Sequence, residues 1–102
     1  MDSNKVYTQD VISESIVEGV LTVTTTPIEV KVGAARLPRR ILITIFNNGS
    51  QVIYWGTNAV SSVTGLPIFK KQTVFLPISD TVPIYVCTST GSNMSTLIKE
   101  MA

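Results

Sequence analysis

A stretch in the middle of the chain, Leu37 to Gly56 (LPRRILITIFNNGSQVIYWG), limits the possible folds more than any other. Two runs rich in β-branched and aromatic residues, Ile41–Phe46 and Gln51–Gly56, flank Asn47-Asn48-Gly49-Ser50. Asn-Gly between such runs is a strong short-range hairpin signal. A two-residue loop at Asn48-Gly49 places Ile45 opposite Val52, Ile43 opposite Tyr54 and Leu42 opposite Trp55, with large side chains on both faces of the ribbon. Such a ribbon needs a cover on each side. The expectation is therefore the interior of a small sandwich whose outer face is closed by loops or by another subunit.

The rest of the chain reads as short strands separated by turns. Gly19–Thr25 alternates, with Leu21 and Val23 inward and Thr22 and Thr24 outward. Pro27 interrupts, because proline cannot donate to a ladder; Ile28, Val30 and Val32 then alternate with Glu29 and Lys31. Gly33–Pro38 is a loop, and Thr57–Leu66 is a long loop or a crossover between sheets. Leu66–Phe69, Thr73–Ile78, Val82–Thr88 and Met94–Glu100 follow as strands, with Pro83 marking an edge or a bulge. Seven to eight strands at this spacing, with no α/β alternation and no repeat, predict an all-β antiparallel β-sandwich or jelly roll over residues 19–102. Residues 1–18 read differently. Val6, Ile12, Ile16, Val17 and Val20 fall on one helical face and Asp10, Glu14 and Glu18 on another, so this acidic segment is a short helix or an extended N-terminal arm able to dock on a neighbour.

Composition excludes several function classes. With 102 residues, 44% apolar and 15% charged, the chain has enough apolar content for one folded domain. Its net charge of +1 selects no partner by global electrostatics. The charges are unevenly placed, however: the first twenty residues are net acidic, and between Glu29 and Asp80 every charge is basic (Lys31, Arg36, Arg39, Arg40, Lys70, Lys71). There is no histidine, so the usual base for a serine or cysteine nucleophile is missing and the common zinc sets cannot be assembled. The acids lie mostly near the chain ends or in turns, and no phosphate-cradling glycine motif is present. The expectation is a non-enzyme without metal or cofactor. Cys87, the single cysteine, sits in an apolar run as a buried hydrophobe, a reactive thiol being the alternative. The first residues lack the pattern of a signal peptide and no run reaches the length of a membrane helix, so cytoplasmic synthesis without membrane insertion is expected.

Neighbouring strand residues face opposite ways, so one of Tyr54 and Trp55 belongs to the core and the other to the outer face, as a subunit contact or beneath a loop. Basic residues together with Phe46, Tyr54, Trp55, Phe69 and Phe75 also raise single-strand nucleic-acid binding. Against it, the aromatics lie inside alternating apolar runs where core packing is the default, and the total charge is near neutral.

These residues carry a resemblance. The order RLPRRILITIFNNGSQVIYWGTNAV, then VTGLPI, a short polar turn, and VFLPISDTVPIYVCTSTGS resembles the small β-sandwich proteins among the virion structural proteins of tailed bacteriophages. The matching features are Arg39-Arg40, Asn47–Ser50, Val52–Gly56, Gly65-Leu66-Pro67 and Val82–Tyr85, over roughly Thr22 to Gly91. The return strand departs from the pattern, with Trp55 between Tyr54 and Gly56, and the acidic first twenty residues lie outside it. The resemblance implies a protein of the virion: a head decoration or cement protein, or a head- or tail-associated accessory. It would bind other virion proteins, the major capsid protein foremost, as a homo-oligomer with a trimer favoured. Candidate contact residues are Arg36, Arg39, Arg40, Lys70, Lys71, Tyr54 and Trp55 on the sandwich and Asp10, Glu14 and Glu18 on the leading segment. The alternative is a receptor- or carbohydrate-binding module of a phage fibre or tail, using Tyr54, Trp55 and the Thr57–Leu66 loop; burial of Trp55 would count against it.

Overall fold

The computed structural model describes residues 15–89, 91 and 93–102. These form eight strands: β1 (Ile16–Val23), β2 (Ile28–Glu29), β3 (Leu42–Asn47), β4 (Ile53–Gly56), β5 (Leu66–Ile68), β6 (Thr73–Leu76), β7 (Tyr85–Thr88) and β8 (Met94–Met101). They build two four-stranded sheets, β1-β8-β3-β6 and β2-β7-β4-β5. The chain runs as a long ribbon doubled back at the β4–β5 connection, so that β4 pairs with β5, β3 with β6, β2 with β7 and β1 with β8, all antiparallel. Wrapping this ribbon brings β3 against β8 and β4 against β7. The result is an all-β sandwich with jelly-roll strand order.

The hairpin expected at Asn48-Gly49 does not form. β3 and β4 lie in different sheets, and the segment between them crosses the sandwich. Ile43 is opposite Leu76 and Glu100, Ile45 opposite Val74 and Ile98, and Trp55 opposite Leu66 and Val86. A type I′ turn needs positive φ at both central residues, and neither Asn48 nor Gly49 has it. The cause is Asn47, which is fully buried. Its Oδ1 accepts from the Gly49 amide (3.0 Å), while its Nδ2 donates to the carbonyls of Gln51 (2.8 Å) and of Ile68 in the other sheet (2.9 Å). The side chain thus supplies the turn and bridges the sheets, so the backbone has no need of the tight hairpin loop.

Smaller expectations shift too. Residues 16–18 are neither helix nor separate arm: Ile16, Val17 and Glu18 open β1, paired with Met101, Glu100 and Lys99. The earlier leading residues, Asp10 and Glu14 among them, lie outside the described residues. The segment 57–65 joins two neighbours in one sheet and is no crossover. The strand expected over Ile28–Val32 is two residues long, although Val30 still bonds through its amide to the Ile84 carbonyl (2.8 Å).

Inner faces of the two sheets meet in one aliphatic core. Val23, Ile43, Ile45, Met94 and Ile98 come from the first sheet; Ile53, Ile68 and Val86, with Val30 and Ile84 beside them, come from the second. Each such side chain contributes about 1.5–3 kcal/mol by leaving water. β8 alternates strictly, buried at Met94, Thr96, Ile98 and Glu100 and exposed at Ser95, Leu97 and Lys99.

Candidate interaction surface

The expected basic contact residues do not converge. Arg40 is a correction: its side chain is wholly inside the protein, with Nη1 2.7 Å from Glu100 Oε2 and Nη2 donating to the carbonyls of Ser79 and Val82 (2.9 Å each). It therefore has no surface to offer a partner. Arg36 is half-buried at the same end of the sandwich, its Nε 2.6 Å from Glu29 Oε2 and its Nη1 bonded to the Asp80 carbonyl (2.8 Å). The bond to Glu29 holds the guanidinium more firmly protonated than usual. Arg39 is exposed with a left-handed backbone (φ 59°), its amide donating to Asp80 Oδ2 (3.1 Å). Lys70 and Lys71 lie by the β3–β4 crossing, at the other end of β3, where Lys71 Nζ reaches Asn48 Oδ1 (2.8 Å). Glu18 is exposed, 3.7 Å from Lys99.

The tyrosine–tryptophan pair separates as strand geometry requires. Trp55 points inward and packs against the core. Tyr54 lies on the outer face of its sheet, on the rung it shares with Pro67 and Cys87. The loop 57–65 folds over this rung: a Cβ built on Gly65 would come 2.7 Å from both Tyr54 Cβ and Val60 Cγ2. Val60 is buried there, and Cys87 Sγ donates to its carbonyl (3.5 Å). Burial pushes the Cys87 thiol pKa up, in keeping with a hydrophobic role. Trp55 is partly buried, its ring turned toward the core rather than standing free on the surface.

The open surface is instead the outer face of the β1-β8-β3-β6 sheet. Strand register places Val20, Leu97, Phe46 and Thr73 on one rung across all four strands, and Glu18, Lys99, Thr44 and Phe75 on the next. Val20 is 67% exposed, Phe75 64% and Leu97 41%. Between them runs a groove of about 560 Å³, apolar along its length and rimmed by the Glu18–Lys99 pair. No described element covers it. Neighbouring apolar side chains left in water on one sheet face are the mark of a contact surface. The sequence carries a faint signal for it: Ile41–Phe46 and Thr73–Ile78 are apolar on both strand faces, and one core can bury only one of them.

Among the described residues, no group of three or more Cys, Asp or Glu side chains could hold a metal ion, and no helix is long and apolar enough to cross a membrane. Compared with models of known protein families and with curated proteins, the chain has no significant match among either.

Proposed function

We propose that this chain is a non-enzymatic structural protein of a tailed-bacteriophage particle, acting as a head decoration or cement protein that binds other virion proteins. The observation carrying the contact role is the exposed apolar face around Val20, Phe46, Phe75 and Leu97. The virion assignment rests on the sequence resemblance over Thr22 to Gly91. A jelly roll suits such a role, because two sheets sharing one core present a rigid face without having to fold on contact. The partner is a surface with protruding apolar side chains that fill the groove, most simply the major capsid protein. The fibre-tip alternative is the less favoured reading, because Trp55 is turned toward the core and partly buried.

The test is co-sedimentation with particles that lack this chain, taken from the phage that encodes it. Wild-type protein should pellet with the particles, and Phe75→Asp, which puts a charge in the groove without touching the core, should weaken binding at least about tenfold. Failure of the wild-type chain to bind would overturn the virion reading. Equal binding by Phe75→Asp would move the contact off this face.

A further inference from the structure

We infer that the outer edge of β1 is a self-association site, at which two copies of this chain pair antiparallel across a two-fold axis and join their β1-β8-β3-β6 sheets into one eight-stranded sheet. This is independent of whether the chain belongs to a virion.

Among the described strands four lie at sheet edges, and three of these carry devices that discourage pairing. β2 is two residues long and follows Pro27, β5 is three residues with Pro67 at its centre, and β6 is four residues between Lys70-Lys71 and Pro77. β1 has none of these: it is eight residues long, contains no proline and no lysine, and turns Ile16 and Val20 to solvent at 60% and 67% exposure. No described strand pairs with its outer edge.

The ladder to β8 determines which groups face outward. Ser15 and Ala102 exchange both backbone bonds (2.7 and 2.9 Å), so residues 17, 19, 21 and 23 also direct their amide and carbonyl groups at β8. Ile16, Glu18, Val20 and Thr22 direct theirs away. An antiparallel copy centred on Gly19 sets Ile16 against Thr22 and Glu18 against Val20, and satisfies the outward groups of all four. Centring on Glu18 would oppose two like charges, and centring on Val20 would push Ile16 past the end of the partner strand. In the favoured register the close pair on the axis is glycine against glycine. The Val20–Leu97–Phe46 rung of one copy then continues into the Glu18–Lys99 rung of the other, and the two grooves lie on one continuous face. A second copy is the occupant because the edge is complementary to itself in this register, and a net charge of +1 per copy offers little repulsion.

Light scattering on the full chain over a range of concentrations tests this, together with amide hydrogen exchange. The expected mass is twice 11.1 kDa, with exchange at Ile16, Glu18, Val20 and Thr22 slowing as concentration rises. Val20→Lys, a substitution on the solvent side of β1, should raise the dimer dissociation constant at least about tenfold. Val63→Lys, in the exposed 57–65 loop of the other sheet, should leave it unchanged. A monomer, a trimer, a dimer indifferent to Val20→Lys, or protection of those four amides at every concentration would each overturn the proposal. The amide readout on the wild-type chain holds even if a variant misfolds.

Discussion

Arg40 and Glu100 form an ion pair with no solvent contact, Nη1 to Oε2 at 2.7 Å, which closes one end of the sandwich. Glu100 also accepts the amides of Val32 (2.9 Å) and Leu37 (3.3 Å), and Arg40 donates to the carbonyls of Ser79 and Val82. Two charged residues thus hold the end of β8, the β2–β3 loop and the β6–β7 turn together. Breaking a buried pair leaves an uncompensated charge, so Arg40→Met and Glu100→Leu should each cost about 3–5 kcal/mol in urea unfolding at pH 7. The double variant should lose clearly less than the two single losses combined. Strict additivity would show that the pair does not act as a unit.

Asn47 should be intolerant of its closest relative. Asn47→Asp keeps the size and the acceptor for the Gly49 amide but has no N–H for the carbonyls of Gln51 and Ile68. Leaving those carbonyls, of which that of Ile68 is buried, without donors should lower stability by about 2–4 kcal/mol, with Asn47→Ala at least as damaging. A melting temperature for Asn47→Asp equal to that of wild type would mean that the sheet bridge does not hold the crossing.

Gly65 and Cys87 should report on the 57–65 loop together. In the wild type, Cys87 is 2% exposed and its thiol is held neutral by burial, so labelling at pH 8 should be at least about 100-fold slower than in denaturant. A methyl group at Gly65 would meet Tyr54, Val60 and the Ser61 carbonyl (2.9 Å), and backbone cannot give way cheaply. Gly65→Ala should lift the loop and speed labelling at least about tenfold with the sandwich otherwise folded. The pH dependence has a definite sign. Because folding raises the Cys87 pKa above the ordinary 9.0, its share of stability is complete below that value and falls as pH rises through the folded pKa. Cys87→Ala should flatten that part of the alkaline decline in stability.

Arg39 offers a gain. Its backbone sits at φ 59°, where a side chain is disfavoured, and that side chain is exposed while the amide bonds Asp80. Arg39→Gly should be neutral or stabilising by up to about 1 kcal/mol, read as a shift in the urea midpoint at unchanged slope. A clear loss of stability would assign the guanidinium a structural role.

The sequence by itself determined the class of fold, because it depends on local patterning. Alternation in Leu21–Thr24, proline and glycine between runs, and the absence of a chemistry-bearing cluster are all carried by neighbouring residues. A count of seven to eight strands and the inward placement of Leu21 and Val23 follow from that alone. Tertiary structure decided which strands pair. Asn47-Asn48-Gly49-Ser50 has the composition of a hairpin turn, yet a carboxamide bonded to Ile68, a residue distant in sequence, makes it a crossing between sheets. Arg40 looks like its exposed neighbour Arg39 until Glu100, sixty residues later, draws it inside. Phe75 reads as a core candidate in its run and becomes surface because the two sheets have only one face each to share. Partners far apart along the chain leave no local signal at either residue, so the buried ion pair, the sheet bridge and the open apolar face become visible only once the ribbon is wrapped.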